Sequence, residues 1–483
     1  MAASNDLNTN IAILGGGPAG YVAAIRAAQL GAEVVLIEEK ELGGVCLNQG
    51  CIPTKSFLKN AEAAHLVQTS KEYGIDAKIQ AVDWHSAWLR KERVVKNSRM
   101  GVESLIAAHK IILLKGRGYV ENPREIRVET GQESVRVSCR HLIITVGSEP
   151  LLPKIPGIDL PGVLTSNEAL EFKEIPRSLV IVGAGVIGLE FADMFNSIGT
   201  KVTVLEMENS ILPKEDREIG EELLKVLKRK GIGFKLGVQV KKIEEIKEIE
   251  EINEISDHQD QLKILFEGNR KETVLKAEKI LVAAGRRSRT YSSDLIALGL
   301  EIEHGAIAVN EKMATNVPSV YAAGDVIGGK LLAHLAYAEG RVAVENALGR
   351  ETRLNYDTVP TCTYTHPEIA TVGIGEEEAA KRGIKVLVGR FELRHNSRAM
   401  TLGERDGFVK VVVDRESGVI LGGQILGSQA SEMISELTLA VTLGVKAEII
   451  AEMMHPHPTL SEAIMEACGD ALGRSIHKVN EKN

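Results

Sequence analysis

The sequence predicts an α/β protein with two Rossmann-like dinucleotide-binding domains and a C-terminal α+β interface domain that serves dimerisation. Three observations support this prediction. A short apolar run ending in a glycine-rich turn occurs twice, and each time a helical stretch and a second apolar run ending in glutamate follow. The last third of the chain has alternating strands and no glycine-rich turn. The repeated pattern is typical of units that hold a pyrophosphate, and the last third is typical of an α+β domain.

The chain divides where these patterns change. At 483 residues it is long enough for about three domains, each with its own core. Short apolar runs that end in glycine, at 142–147 and 280–285, are the expected crossings between domains. We predict the first dinucleotide-binding domain over 1–150, the second over 151–281, a return to the first over 282–352, and the interface domain over 353–483.

Composition excludes several classes of protein. With 44% hydrophobic and 26% charged residues, the chain is typical of a globular protein, and its net charge of -8 argues against a nucleic-acid partner. No apolar stretch reaches the roughly 18 residues of a membrane span, and the first ten residues lack the features of a targeting sequence. Its five cysteines do not form a secreted-type disulfide framework. We therefore expect a cytoplasmic protein.

The first glycine-rich turn follows the apolar run Ile11–Leu14 and opens a helical stretch. Gly15, Gly17 and Gly20 have the G-x-G-x-x-G spacing, which permits a tight turn, close approach of the backbone to a pyrophosphate, and close helix–strand packing. The next apolar run ends in Glu38, a carboxylate that can accept both hydroxyls of an adenosine ribose. We predict that this unit binds a dinucleotide.

The same arrangement returns later in the chain. Leu179–Val182 leads into Gly183, Gly185 and Gly188, and a second apolar run ends in Glu206. Glu206 would repel the extra phosphate of NADP, and no arginine follows closely to receive that phosphate, so this unit favours NAD. The first unit leads directly into a pair of cysteines, and a flavin held there, as FAD, can exchange electrons with them.

Cys46 and Cys51 lie in a glycine-rich stretch directly after the first unit. In a regular helix these positions are too far apart for a disulfide, which needs a Cα separation of roughly 4.4–6.8 Å. The backbone must bend, and Gly50 tolerates bending. We predict a small, reducible disulfide ring, because strained or exposed disulfides are the catalytic ones. The alternatives are half of a zinc site, which needs four ligands, and two unrelated buried thiols.

Two further segments have open interpretations. Asp325 follows a short apolar run and a glycine. It caps the helix that follows, or binds the polyol chain of a flavin, or does both.

Residues 241–261 are highly charged and carry isoleucines at intervals of three, which fits neither a clean strand nor a helix stripe. We expect that tract to be a solvated surface hairpin or helix without a catalytic part.

The C-terminal third contains a histidine pair. His455 and His457 are each followed by proline, which excludes a helix and gives a stiff extended segment. A helix start follows, and Glu462 in its first turn can hold one imidazole. A histidine oriented by a carboxylate is the usual base for a thiol. The alternatives are a metal-binding His-x-His pair and plain turn residues.

Taken together, these motifs resemble the flavoprotein pyridine nucleotide–disulfide oxidoreductases. The resemblance covers about residues 10–473, and five motifs occur in the family's order and spacing. The motifs are the cysteine stretch 43–55, the two glycine-rich turns, residues 322–325 and residues 457–462. The cysteine stretch and the residues around Glu206 are similar to the lipoamide branch of the family. Residues 145–148 and 286–289 depart from the family pattern, so no flavin contact is carried over to them.

The resemblance implies a role for each candidate site residue. Cys46 would be the thiol that meets the substrate, and Cys51 would lie against the flavin. His457, held by Glu462, would be the base and would reach the cysteine ring of the partner subunit in a homodimer.

The resemblance also implies cofactors and partners. Lys55 would pair with Glu190 beside the reactive nitrogen of a non-covalently bound FAD, and NAD would be the second cofactor, with no metal. The reaction would oxidise dihydrolipoamide on a lipoylated carrier protein of a 2-oxoacid dehydrogenase or glycine cleavage system, without nucleic acid or membrane. The rival interpretations are an NAD(P)H-dependent reductase of another small disulfide and a non-catalytic flavoprotein scaffold.

Overall fold

A mixed N-terminal sheet, a parallel second sheet and an antiparallel C-terminal sheet organise the chain. The computed structural model describes residues 6–131, 133–246 and 261–479. Among these residues, no helix has the length and apolar character of a membrane span.

The N-terminal sheet holds the first glycine-rich turn. Its elements are β1 (Asp6–Leu14), α1 (Pro18–Gln29), β2 (Val34–Glu38), α2 (Gly44–Gln49), α3 (Cys51–Thr69), α4 (Trp84–Ala108), β3 (Ile112–Lys115), β4 (Arg117–Asn122), β5 (Glu125–Glu129) and β6 (Ser134–Ile144). The strand order is β3-β2-β1-β6-β5-β4. Ile13 of β1 pairs in parallel with Leu36 and Ile143, and all three side chains are fully buried. Continuous apolar runs suit strands that are covered on both faces.

The second glycine-rich turn lies in the next segment of the chain, from Ser148 to Val282. Its elements are β7 (Ser148–Pro150), β8 (Val163–Leu164), α5 (Ser166–Ala169), β9 (Ser178–Val182), α6 (Val186–Ser197), β10 (Lys201–Leu205), α7 (Arg217–Arg229), β11 (Gly233–Lys235), β12 (Gln239–Glu245), β13 (Leu262–Gly268), β14 (Lys271–Ala277) and β15 (Lys279–Val282). Five of these strands form a parallel sheet in the order β11-β10-β9-β15-β8.

Strands β12, β13 and β14 form a separate antiparallel sheet. The charged tract 241–261 therefore begins in β12, and the strand after it pairs back onto β12 as a hairpin would. Ile243 faces a small apolar core, while Lys241, Lys242 and Glu245 are exposed. The predicted surface hairpin or helix between these strands, at 247–260, lies outside the described residues.

The chain then returns to the first sheet. The elements are β16 (Arg286–Ser288), α8 (Ser293–Ala297), β17 (Ile302–Glu303), β18 (Ala306–Ile307), β19 (Val320–Ala322) and α9 (Ala333–Ala347). Strand β16 pairs with β7, and β19 adds to β6 in parallel. Helix α9 packs on α1, where Gly340 lies so close to the carbonyl of Ala19 that a Cβ would stand 2.3 Å from its oxygen.

The last part is an α+β domain around an antiparallel sheet. Its elements are β20 (Thr361–Thr363), β21 (Glu368–Gly373), α10 (Glu376–Lys381), β22 (Val386–Glu392), α11 (Ser397–Leu402), β23 (Phe408–Asp414), β24 (Ile420–Gly427), α12 (Ala430–Leu443), α13 (Ala447–Glu452) and α14 (Glu462–Ala471). The strand order is β20-β21-β24-β23-β22, and every pair is antiparallel. The α/β fold class with its C-terminal α+β domain is confirmed.

Candidate active site

The first glycine-rich turn connects β1 to α1. Gly15 has a φ of +109°, a conformation that L side chains rarely adopt. A Cβ on Gly20 would lie 1.8 Å from the carbonyl oxygen of Gly15, so only glycine lets the helix approach the turn this closely. The Glu38 carboxylate accepts the N–H of Gly16 at 2.6 Å and that of Lys40 at 2.7 Å. The turn and the end of β2 are therefore fixed to each other.

The second turn repeats this geometry between β9 and α6. Gly183 has a φ of +110°, and a Cβ on Gly188 would lie 2.0 Å from the Gly183 carbonyl oxygen. The Glu206 carboxylate accepts the N–H of Ala184 at 2.6 Å and that of Glu208 at 2.9 Å. Each carboxylate oxygen of Glu206, like those of Glu38, keeps a lone pair for a ribose hydroxyl.

Cys46 and Cys51 lie on two successive helices. Helix α2 ends before Gly50, and Cys51 is the first residue of α3. A Cβ on Gly50 would stand 3.0 Å from the carbonyl oxygen of Val45, a tight contact that glycine avoids where the chain bends. The predicted break at Gly50 is present, and it brings the two thiols into contact.

The two thiols differ in acidity. The Cys46 thiol hydrogen-bonds to Cys51 and, together with the positive charge of Lys55, lowers the pKa of Cys51 to about 7 against the opposing effect of burial. The same hydrogen bond, with burial, raises the pKa of Cys46. In the dithiol form the negative charge therefore belongs on Cys51, at the N-terminus of α3, where the helix dipole also favours an anion.

Lys55 is held next to these thiols by a carboxylate on another helix. Its Nζ lies 2.9 and 2.8 Å from the two oxygens of Glu190 on α6 and 4.3 Å from the ring centre of Tyr364. Glu190 also accepts the N–H of Tyr364 at 3.0 Å. The Glu190 side chain is 5% exposed, so its charge is paired and hydrogen-bonded, as a buried carboxylate requires.

One cavity of about 2800 Å³ connects both glycine-rich turns with the thiols. The predicted residues that line it are Gly15, Gly17, Glu38, Cys46, Cys51, Lys55, Asp325, Gly183, Gly185, Glu190 and Glu206. Gly20 and Gly188 do not line it, because each lies behind its turn, where helix and strand pack.

Asp325 does not cap a helix with its side chain, so that part of the prediction is wrong. Its carboxylate instead accepts the hydroxyl of Ser148 and lies 4.0 Å from Nε of Arg286. Arg286 also donates to the Ser148 hydroxyl and carbonyl, at 2.8 and 2.9 Å. The carboxylate faces the cavity, where it is available to a polyol.

The sequence did not predict several residues of this site. Ser148 and Arg286 lie in the two segments that depart from the family pattern, and the pairing of β7 with β16 brings them together beside Asp325. Tyr364 was missed as well, although it contacts both Lys55 and Glu190. The only available signal was that apolar runs ending in glycine precede Ser148 and Arg286.

His457 and Glu462 are in contact, as the sequence suggested. Nδ1 of His457 lies 2.8 Å from Oε1 of Glu462, and the other oxygen of Glu462 accepts the N–H of Thr459 at 2.7 Å. Burial alone would raise the pKa of Glu462, but these two hydrogen bonds lower it, so the carboxylate stays ionised. The His457 side chain is 69% exposed and is not among the described residues that line the cavity.

The metal-binding alternatives find no support in the described residues. His455 bonds to Glu436 at 3.0 Å, so the two histidines of the His-x-His pair are held by different carboxylates. Among the described ranges, no metal-ligand group of three or more includes Cys46 or Cys51.

Comparison with known proteins places this geometry in a family. Residues 9–340 match the pyridine nucleotide-disulphide oxidoreductases, and residues 359–468 match the dimerisation domain of the same proteins. A dihydrolipoyl dehydrogenase of Halobacterium salinarum is 40% identical, over 98% of this chain and 98% of the relative. A dihydrolipoyl dehydrogenase of Bacillus subtilis is also 40% identical, over 97% of this chain and 99% of the relative.

A solved structure agrees with these sequence matches. The HOCl-induced flavoprotein disulfide reductase of Escherichia coli superposes with a TM-score of 0.82 at 28% identity, covering 95% of this chain and 99% of its own. The matches extend over both glycine-rich turns, the cysteine pair and most of the C-terminal domain. The chain therefore belongs to the pyridine nucleotide-disulphide oxidoreductase family.

Proposed function

We propose that this protein oxidises the dihydrolipoyl group of a lipoylated carrier protein and passes the electrons through FAD to NAD. The observation that carries the proposal is the contact of Cys46 with Cys51 in the same cavity as both glycine-rich turns. Relatives named dihydrolipoyl dehydrogenase, which match over nearly the whole chain, support it.

The residues of the first unit fit a flavin dinucleotide. The turn at Gly15 and Gly17 opens into the cavity with the N-terminus of α1 behind it, which suits a pyrophosphate. Glu38 and Asp325 line the same cavity, and their carboxylates can accept hydrogen bonds from the hydroxyls of a ribose and a polyol. When bound, FAD supplies the two-electron chemistry that connects a thiolate to a nicotinamide.

The oxidised form of the site would begin with a Cys46–Cys51 disulfide. A dihydrolipoyl thiol gives its proton to His457, and the thiolate attacks the sulfur of Cys46. The Cys46–Cys51 bond breaks and Cys51 leaves as a thiolate, which Lys55 and the low pKa of Cys51 favour. The second substrate thiol then attacks the mixed disulfide and closes the lipoyl ring, and its proton passes to Cys46 as the Cys46 sulfur leaves. His457 releases the proton of the first thiol to solvent, and the proton on Cys46 leaves with the electron pair in the next step.

The electron pair on Cys51 leaves towards NAD, so that one dihydrolipoyl group and one NAD⁺ give one lipoyl group, NADH and a proton. Glu190 holds the ammonium group of Lys55 in place, so that its positive charge stays beside Cys51 during this transfer. Because both thiols end as a disulfide again, the chain is ready for another substrate.

The base comes from the other subunit of a homodimer. The match to a dimerisation domain supports a homodimer, and the exposed His457 lies off its own cavity. Fixing Nδ1 on Glu462 leaves Nε2 free to act across the subunit interface.

The finer assignments remain part of the proposal. The lipoylated partner belongs to a 2-oxoacid dehydrogenase or glycine cleavage system, and the protein acts in the cytoplasm. The proposed dinucleotide-binding domains are 1–150 with 282–352 and 151–281, and the interface domain is 353–483.

A reductase of another small disulfide is the second candidate. It is favoured by the flavoprotein disulfide reductase of Escherichia coli, which shares the fold over nearly the whole chain. The two candidates differ in direction and substrate and are separated by steady-state rates with the purified, FAD-loaded enzyme.

The deciding assay compares dihydrolipoamide with NAD⁺ or NADP⁺, and NADH or NADPH with lipoamide or glutathione disulfide. We expect turnover with dihydrolipoamide and NAD⁺ and its reverse, and rates at least about a hundredfold lower in the other combinations. Cys46→Ser should abolish lipoamide turnover while NADH oxidation by ferricyanide continues. Equal or faster reduction of glutathione disulfide would favour the second candidate, and a Cys46→Ser enzyme with normal lipoamide turnover would contradict both.

A further inference from the structure

Three side chains from distant parts of the chain converge away from the redox cavity. His65 lies on α3, His366 lies just before β21, and Glu404 follows α11. Nε2 of His366 is 3.1 Å from Oε2 of Glu404, and the ring centres of the two histidines are 4.5 Å apart. One ligand atom from each residue lies within 4.8 Å of the other two.

We propose that His65, His366 and Glu404 bind a zinc ion that ties α3 to the C-terminal domain. Two imidazoles and one carboxylate are a donor set that zinc uses, with water at the fourth position. Zinc–ligand distances of about 2.0–2.2 Å place tetrahedral ligand atoms roughly 3.4 Å apart. The pair His366–Glu404 is already near that spacing, so a rotation of the half-buried His65 side chain completes the site.

The surrounding charges permit a cation. Lys230 approaches the cluster, but its ammonium lies 2.8 Å from Oδ1 of Asp193 and is paired with it. The other oxygen of Asp193 accepts the backbone N–H of His366 at 2.8 Å. With Lys230 neutralised in this way, the carboxylate of Glu404 leaves the cluster with a net negative charge when both imidazoles are neutral.

The position of the site predicts a structural role. Cys51 begins α3, and His65 lies fourteen residues later, about 21 Å along the helix axis. A zinc ion there would not touch the thiols. It would instead fasten the far end of the helix that carries Cys51 and Lys55 to the domain that carries β21, so we expect it to raise stability without changing turnover.

The test uses the full-length, FAD-loaded enzyme, freed of metal with a chelator and kept in its oxidised form. In that form Cys46 and Cys51 are bonded to each other and do not compete for zinc. Calorimetric titration with zinc chloride should give one site per chain, and thermal unfolding should occur at a higher temperature with zinc than without it, because a ligand of the folded state stabilises that state.

Variants locate the binding. His65→Ala and Glu404→Gln should each weaken zinc binding by about tenfold or more, since loss of even an outer partner of a metal ligand costs that much. Both should abolish the rise in unfolding temperature. His85→Ala, at an exposed histidine of α4, should bind zinc like the wild type.

The site does not exist if the wild type binds no zinc in this assay, or if Glu404→Gln binds zinc as tightly as the wild type. Glu404→Gln keeps the size and shape of the side chain, so it decides the question if His65→Ala loses its flavin. Lipoamide turnover of the variants without added zinc should match that of the wild type. Loss of zinc binding would therefore overturn the zinc site without affecting the proposed reaction.

Discussion

The two glycine-rich turns have the same backbone geometry and different neighbours. Gly15 and Gly183 have nearly equal positive φ values, and a Cβ on Gly20 or Gly188 would collide with the carbonyl of the first glycine in its own turn. The second apolar strand of each unit ends in a glutamate that accepts an N–H from its turn. What differs is the chain that follows this glutamate.

In the first unit, the following chain closes against the turn. A Cβ on Gly44 would lie 2.7 Å from the Cα of Gly17, so the loop that leads to Cys46 packs directly on the turn. In the second unit, a Cβ on Gly185 would have no atom of the described residues within 4 Å. The shared motif fixes where a pyrophosphate lies, and the neighbouring loop determines whether a ligand is enclosed, as suits a resident flavin, or free to exchange, as suits NAD.

The largest effect should come from filling the packing site behind each turn. Gly20→Ala and Gly188→Ala would each place a Cβ about 2 Å from a carbonyl oxygen. Overpacking of this kind costs up to about 3 kcal/mol, or about a hundredfold in affinity. Gly20→Ala should be purified with little flavin, while Gly188→Ala should keep its flavin, accept electrons from dihydrolipoamide, and lose its reaction with NADH.

Flavin absorbance and rapid-mixing measurements of each half-reaction check this pair of predictions. Gly101→Ala is the matched control, because a Cβ there would have no atom of the described residues within 4 Å apart from the backbone of its own helix. If Gly188→Ala loses flavin as readily as Gly20→Ala, the two units are not independent and the comparison fails.

The next effect tests whether proton transfer belongs only to the cysteine half of the reaction. His457→Gln should slow dihydrolipoamide oxidation by roughly a hundredfold or more, the usual contribution of a general base. NADH oxidation by ferricyanide should be unchanged, because it bypasses the thiols. His477→Gln is a matched control: His477 is equally exposed and equally bonded through Nδ1 to a carboxylate, here Glu466. Similar losses in both variants would argue against the assigned base.

A smaller effect should separate Glu38 from Glu206, the two carboxylates that are predicted to bind ribose hydroxyls. Glu206→Gln removes the charge that repels a 2′-phosphate and weakens a charge-assisted hydrogen bond worth about 1.5–3 kcal/mol. We expect KM for NAD⁺ to rise by about tenfold and the preference for NAD⁺ over NADP⁺ to fall, with flavin content unchanged. Glu38→Gln should instead lower flavin content. Glu208→Gln, which changes an exposed neighbour of Glu206, should leave both properties intact.

Local patterns in the sequence were sufficient to predict the framework of the fold. The predicted fold class and family are confirmed. They could be predicted because an apolar run, a glycine spacing and a terminal glutamate all lie within about thirty residues. The break at Gly50 follows from the same kind of local reasoning, since two cysteines at that spacing cannot meet without a bend. The assigned roles of the site residues remain predictions.

Contacts between distant segments could not be predicted in this way. Ser148 and Arg286 are 138 residues apart and meet because two short strands pair, which no periodicity in either segment encodes. Asp325 looked like a helix cap because of its position after a glycine, but the nearby Ser148 hydroxyl takes its carboxylate. Asp325 begins a short 3-10 helix, but its carboxylate is engaged in this tertiary hydrogen bond and does not cap that helix, the role that aspartate prefers locally.

The smallest predicted effect concerns the charge that Lys55 places beside Cys51. The pKa of Cys51 is lowered to about 7, first by the hydrogen bond from Cys46 and further by Lys55, so thiolate prevails above about pH 7 and thiol below it. In the double variant Lys55→Met with Glu190→Gln, which avoids a buried unpaired carboxylate, the pKa should rise by about one unit. Alkylation of the reduced enzyme with iodoacetamide, read for each cysteine by peptide mass spectrometry, should then require a higher pH at Cys51. Lys59→Met, on the same helix but paired with the exposed Glu62, should leave the profile unchanged, and an equal shift there would mean that general surface charge controls this thiol.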